Sequence, residues 1–285
     1  EHEDEAEHEA EHEAEQEGEQ EEEQEDTEKK QYLTSIGAQP TLREQLEAFS
    51  VEQLQARLEV FGVPVRQPRQ EEFVRGFKVA RKEELLDVLC AEYEARFESQ
   101  PRKVVEDAGV PLSAEMVKPL LAALRRISWT ENVRPAVHAS GYVVLKQPSV
   151  IRVPSQWREG DPRIVRRRVW DLATATLRSA SEKAACFDFS AIAVSKNFRG
   201  SPHIDKNDIS VQYALSLGDF DERGGKLCVE ESPFVVRALT TRARLVCFDG
   251  RFPHWVSGYD GERYSIIFYR SRGKEDVSVQ AVHDV

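Results

Sequence analysis

The chain has 285 residues, with 39 Lys and Arg against 51 Asp and Glu and a net charge of −12, length enough for one or two domains with a sizeable core. It shows neither a signal peptide nor an apolar run long enough to span a bilayer, so a soluble, intracellular protein without membrane partners is expected. Its four cysteines, Cys90, Cys186, Cys228 and Cys247, lack any Cys-x-x-Cys spacing; this excludes a zinc ribbon or disulfide framework and fits a reducing compartment, the nucleus among them.

The charge is unevenly spread. Residues 1–30 hold 15 Glu and 2 Asp against Lys29 and Lys30, a balance of −15, which leaves the remaining 255 residues at +3. Residues 1–40 therefore read as an acidic low-complexity tail, disordered or transiently helical, because no apolar residue larger than Ala precedes Tyr32 to bury a core. His2, His8 and His12 offer weak metal binding, and mimicry of nucleic acid against the mildly basic body is a second use for the tail. The start at Glu1 rather than Met leads us to expect a trimmed fragment.

Residues 41–100 read as a small helical module. Ser50-Val-Glu-Gln53 forms a capping box ahead of Leu54, Leu58 and Phe61, and Gly62 with Pro64 ends that helix. A second helix is predicted from about Arg81 to Phe97, with Leu85, Leu86, Leu89 and Tyr93 on one side. Through Phe49 to Leu58, Phe61-Gly-Val-Pro64 and Arg81 to Leu86 the module resembles a SAP unit, which implies DNA binding; a plain helical hairpin with solvated charged faces is the other reading.

Residues 101–135 read as a connector with a helix from about Ser113 to Ile127, and residues 136–285 as the main domain. Strands are predicted at Tyr142–Leu145 and Val150–Val153. Asp161 followed by Pro162 starts a helix running to about Ala185, whose Ile164, Val165, Val169, Leu172, Ala173 and Leu177 suit packing on a sheet. Arg163, Arg166, Arg167 and Arg168 on it, with Arg152 and Arg158 before it, form either a solvated face or a phosphate-contacting stripe. From Ala191 onward, short strands at 191–197, 210–217, 226–231, 234–239, 243–248 and 263–270 argue for an all-β jelly roll. The fold class is thus α+β: a double-stranded β-helix (jelly-roll) core with flanking helices, preceded by the helical module and the acidic tail.

The chemistry lies in Ser201-Pro-His-Ile-Asp-Lys-Asn207 and Phe252-Pro-His-Trp255. His203 and Asp205, two apart, share a side of an extended segment. With His254 brought in from another strand, two imidazoles and a carboxylate would hold Fe(II) on one face and leave positions open. The alternative is a loop histidine beside a capping Asp. Arg263 and Ser265, on one face of the run ending at Tyr269, add a guanidinium and a hydroxyl suited to the far carboxylate of a dicarboxylic co-substrate such as 2-oxoglutarate.

This ordered set resembles the Fe(II)/2-oxoglutarate dioxygenases. Within them Asn197 to Asn207, Leu217-Gly-Asp-Phe220, Gly224-Gly-Lys-Leu227, Phe248 to Trp255 and Gly261-Glu-Arg-Tyr-Ser265 are most similar to the TET/JBP-like nucleobase oxygenases. The resemblance spans about Ala191 to Tyr269 and implies Fe(II), 2-oxoglutarate and dioxygen, with ascorbate as a further reductant, and DNA as partner. Asn197 and Tyr213 are candidates to hydrogen-bond the co-substrate; Asn207 and Asp208 are candidates to touch a base edge; Phe198, Phe252 and Trp255 either stack on a flipped base or pack the core. Hydroxylation of a methyl group on 5-methylcytosine or thymine is the expected reaction. A prolyl-type protein hydroxylase and a DNA-binding adaptor with an inert core are the alternatives.

Overall fold

A computed structural model describes residues 40–63, 75–129, 138–148, 160–221, 223–276 and 280–285. The acidic tail and the predicted strand at Val150–Val153 lie outside the described residues.

Capping determines where the first helices begin. Thr41 and Ser50 each close a capping box, with Glu44 and Gln53, to start α1 (Leu42–Leu46) and α2 (Val51–Val60). Gly62, at φ +73°, ends α2 by accepting the left-handed turn that a Cβ disfavours. The next helix, α3 (Arg75–Ser99), starts six residues before its expected position and runs two past it. Leu46, Phe49, Leu54 and Leu58 meet Leu85, Leu86, Leu89 and Tyr93 in one small core, and each such side chain contributes about 1.5–3 kcal/mol by leaving water.

The stretch expected to be a connector is built into the main domain. It supplies β1 (Lys103–Ala108), paired in parallel with β8 (Val235–Thr240), and β2 (Val110–Pro111), paired with β9 (Arg244–Phe248). It also supplies α4 (Ala114–Arg125), whose Leu120, Ala123 and Leu124 enter the largest core. After β3 (Gly141–Lys146), Asp161 caps α5 (Pro162–Ala180) by accepting from the Arg163 amide at 2.8 Å. The helix expected to reach Ala185 instead breaks at Ser181, which is extended (φ −163°) and caps α6 (Glu182–Ala185) by accepting from the Ala184 amide. Among the described residues no helix is long and apolar enough to cross a membrane.

Two sheets then face each other in a jelly roll. One runs β1-β8-β7-β10-β5, with β5 (Gly200–His203), β7 (Leu227–Ser232) and β10 (His254–Val256); the other runs β12-β9-β6-β11-β4-β3, with β4 (Ala191–Lys196), β6 (Gln212–Leu217), β11 (Tyr264–Tyr269) and β12 (Val282–His283). Alternation divides the second sheet. Tyr213, Leu215, Leu217, Tyr264, Ile266 and Phe268 face outward into the core shared with α4 and α5, while Gln212, Ser265, Ile267 and Tyr269 border the space between the sheets.

Candidate metal centre

Strand pairing assembles the cluster. In the ladder between β5 and β10, His203 lies directly opposite His254, so their side chains leave the sheet together, with ring centroids 4.2 Å apart. Asp205 joins them two residues later, where its amide donates to the Gly250 carbonyl at 2.8 Å. Its carboxylate oxygens lie 3.8 Å from His203 Nε2 and 3.6 Å from His254 Nε2. One donor atom from each of the three residues lies within 4.8 Å of the others. Gly250 is required by this crowding: a Cβ there would come within 2.3 Å of Gln212 Nε2 and 3.1 Å of Asp205 Oδ2.

The surroundings fix the orientation and protonation of groups in this cluster. His254 Nδ1 is 2.9 Å from the Phe252 carbonyl, which as acceptor fixes the proton there and leaves the Nε2 lone pair facing Asp205. Burial, then the neighbouring His203, push the His254 imidazole down to about 4, so it is neutral at physiological pH. Gln212 Nε2 donates to Asp205 Oδ2 at 2.8 Å and also to Asp208. Burial, reinforced by the charge of Asp205, raises the Asp208 carboxyl to about 7.

The cluster opens on a cavity of about 530 Å³ lined by, among others, Tyr142, Phe198, Asn207, Asp208 and Ser265. Arg263 is one hydrogen bond beyond this wall. Its guanidinium donates to Ser265 Oγ, to Thr241 Oγ1 at 3.3 Å and to the Gly225 carbonyl at 3.1 Å, and lies 5.5 and 5.6 Å from the rings of Phe220 and Tyr259. It is 2 % exposed, and among the described residues no carboxylate reaches it. Burial lowers its pKa to about 10. A desolvated cation held only by neutral oxygens and ring faces is costly unless an anion joins it.

The donor set fits Fe(II). Two imidazoles and one carboxylate on a single side leave coordination positions toward the cavity, as an open facial site needs. The neutral donors around Arg263 likewise leave its charge for a carboxylate.

Two further expectations turn out differently. Tyr213 lies on the helix-covered face of β6, in a hydrogen bond with Cys247 and against Phe187, and so stands away from the cavity. Asn197, left-handed at φ +52°, spends its side-chain oxygen on the Arg263 amide at 3.0 Å, while its own amide donates to the Arg263 carbonyl. It therefore fixes the strand end that bears Arg263. Asn207 is exposed at the cavity and Asp208 buried beside it, while Phe252 packs among Leu227, Val229 and Phe248 rather than on the wall. Gln212 and Thr241 were missed; the signal for Gln212 was a polar residue alternating with outward Tyr213 and Leu215.

On α5, Arg163 pairs with Asp161 and Arg167 with Asp171, and Arg166 and Arg168 are exposed. This helix covers the sheet face opposite the cavity, so these four arginines lie away from the site; Arg152 and Arg158 lie outside the described residues.

No family model and no curated protein matches the chain. Among solved structures it is similar to an oxidoreductase of the 2OG-Fe(II) oxygenase family from Burkholderia pseudomallei, with 13% identity over 65% of this chain and 93% of that one and a TM-score of 0.40. It is also similar to NgTET1 in complex with 5mC DNA, at 17% identity over 40% and 47% with a TM-score of 0.27. A third is a prolyl hydroxylase in complex with a hypoxia inducible factor oxygen degradation domain peptide fragment, from Trichoplax adhaerens, at 16% identity over 55% and 77% with a TM-score of 0.34. The fold described above stands on strand order and register, and the site on its distances.

Proposed function

We propose that the chain is an Fe(II)- and 2-oxoglutarate-dependent dioxygenase that hydroxylates a C–H bond, and that its substrate is the methyl group of a nucleobase, 5-methylcytosine or thymine, in DNA. One observation carries the enzyme reading: the cavity has the His203–Asp205–His254 cluster on its wall and the buried, carboxylate-free guanidinium of Arg263 one hydrogen bond behind Ser265. His203, Asp205 and His254 would hold the iron, which when bound with 2-oxoglutarate and dioxygen supplies the oxidising power for the C–H bond.

The chain's own residues do the rest. Ser265 on the cavity wall accepts from the Arg263 guanidinium and donates its hydroxyl to the far carboxylate of the keto acid, and the positive charge of Arg263 directly behind it orients that end. Asn197 holds the backbone that carries Arg263. Gln212 fixes the Asp205 carboxylate, and the Phe252 carbonyl keeps the His254 proton on Nδ1.

The nucleobase reading rests on the sequence likeness from Ala191 to Tyr269 together with the walls of the cavity. Phe198 and Tyr142 offer ring faces to a flipped base, and exposed Lys206 and Asn207 offer a cation for a phosphate and an amide for a base edge. Among the described residues of the helical module, Arg43, Arg57 and Arg96 are paired with carboxylates of this chain, which favours the cavity mouth over these arginines for DNA contact. DNA contact is accordingly assigned to the cavity mouth.

Purified protein incubated with Fe(II), 2-oxoglutarate and duplexes carrying 5-methylcytosine or thymine tests the reading by mass spectrometry of the digested bases. A hydroxymethylated base with stoichiometric succinate is the expected result. Succinate formed only with a protein or peptide substrate, and no oxidised base, would replace DNA by a protein side chain.

A further inference from the structure

The helical module was expected to act as a separate recognition unit, yet its contacts with the main domain converge on the strands that bear the candidate ligands. Ile204, the residue between His203 and Asp205, packs on the module's apolar core of Leu46, Phe49, Leu54, Leu58 and their α3 partners. The strand it follows needs such an anchor. β5 is four residues long and, among the described residues, lies at the edge of its sheet and pairs only with β10, through a register irregularity. Few ladder bonds therefore determine where His203 and Asp205 sit.

A second contact reaches the other ligand. Glu230 on β7 has a fully buried side chain, whose carboxylate takes Arg57 of α2 at 2.5 Å on one oxygen and Arg102 at 2.6 Å on the other. Arg57 also donates to Tyr93 Oη on α3 and lies 4.0 Å over the Phe49 ring. Arg102 donates to Gln45 in α1 and lies 6.0 Å over the Trp255 ring. On the main-domain side, the Glu230 amide donates to the Pro253 carbonyl at 2.9 Å, and the preceding Val229 is the register partner of His254. Pro253 and Trp255 flank His254, so the buried carboxylate is one residue removed from that ligand on both strands.

We infer that α1, α2 and α3 form a built-in clamp on the metal centre, with Ile204 and Glu230 as positioning residues through which the module sets the placement of His203 and Asp205 on one side and His254 on the other. The inference rests on the metal reading of that cluster. Neither residue reaches a ligand atom; each acts on the backbone that presents one. A group that orients ligands in this way is expected to cost about 10–100-fold in metal affinity when removed.

Co(II), as a spectroscopic substitute for Fe(II), tests the clamp in the full chain without turnover. Wild-type protein is titrated beside Ile204→Ala, Ile204→Val and Glu230→Gln, with far-ultraviolet circular dichroism of each confirming the fold. Ile204→Ala and Glu230→Gln should each weaken Co(II) binding by about tenfold or more, and should change the visible d–d bands even at saturation, because the ligand geometry itself has moved. Ile204→Val, which keeps the apolar contact, should restore both affinity and spectrum to near wild type. Folded Glu230→Gln and Ile204→Ala proteins that bind Co(II) with wild-type affinity and bands would overturn the clamp while leaving the metal reading intact. Wild-type protein that binds no Co(II) would overturn both. Should Ile204→Ala fail to fold, Glu230→Gln decides alone, since amide for carboxylate preserves shape.

Discussion

The two charged places beside the cavity are built in opposite ways. At the His203–Asp205–His254 cluster negative charge is in excess: Asp205 and Asp208 share the amide of Gln212, and Arg251 spends its charge on Asp249 and Glu275. At Arg263 positive charge is in excess, held by a carbonyl, two hydroxyls and two ring faces. At Arg263 this is a poor choice for stability alone, since a buried charge is costly until an opposite charge arrives, whereas the Asp205 carboxylate keeps 36 % of its side chain exposed at the cavity. The difference teaches what each place is for: the first is suited to a metal cation and the second to an organic anion.

Separating the two places by mutation gives the largest effects. Asp205→Ala should abolish Co(II) or Fe(II) binding, on the order of 100-fold or more, because it removes the only carboxylate of the ligand set. Arg263→Ala should leave metal affinity near wild type and raise the KM for 2-oxoglutarate at least about tenfold, the ~1.4 kcal/mol scale of one lost charged contact. Metal titrations and initial rates measure the two independently, and a variant that impaired both equally would break the comparison.

Acid should act through two opposed groups in the metal-free protein. His254 has a folded pKa of about 4 against 6.5, so the unfolded chain binds its proton more readily; the stability it contributes is present above 6.5 and lost as pH falls from there toward 4. Asp208 is raised to about 7 from 3.8, and its contribution is present below 3.8 and lost as pH rises toward 7. The two slopes offset between roughly pH 4 and 6.5. Asp208→Asn removes one of them, so urea unfolding of that variant should show stability rising by on the order of 2 kcal/mol from pH 5 to 6.5, against a flatter wild-type profile.

The smallest effect sharpens the comparison by its absence. Tyr213→Phe removes a hydroxyl from the helix-covered face, so it should cost about 1 kcal/mol of stability for a lost hydrogen bond and leave the KM for 2-oxoglutarate within about twofold. A large rise in KM would return Tyr213 to the cavity.

That residue also marks where sequence reading ran out. The six longer strands from Ala191 onward and the meeting of His203, Asp205 and His254 were legible, because alternating runs with turns between them suit a jelly roll and His-x-Asp with a distant His admits few chemistries, whereas the short β5, β10 and β12 were too brief to show a pattern. Which side of a strand faces the cavity was not. Tyr213 and Gln212 are neighbours on β6, and only the pairing of Tyr213 with Phe268 and Cys247 decides which of them turns inward. β1 escaped notice because five of its six residues are exposed at a sheet edge, so it carries no alternating pattern. The helix break at Ser181 hinges on one residue choosing to cap rather than continue. The Arg57–Glu230 pair joins positions 173 residues apart, a contact that no local pattern announces. Ile204 was visible between the ligands but reads as a spacer until the module is seen packed on it.

The central claim, a cation site and an anion site serving one cavity, is tested most directly by adding 2-oxoglutarate to the anaerobic Fe(II)-loaded protein and following the visible metal-to-ligand charge-transfer band. A saturable band in wild type, absent in Asp205→Ala and requiring at least about tenfold more 2-oxoglutarate in Arg263→Ala, is the predicted result. A wild-type protein that takes up Fe(II) and gives no band at any 2-oxoglutarate concentration, or a band indifferent to Arg263, would contradict it.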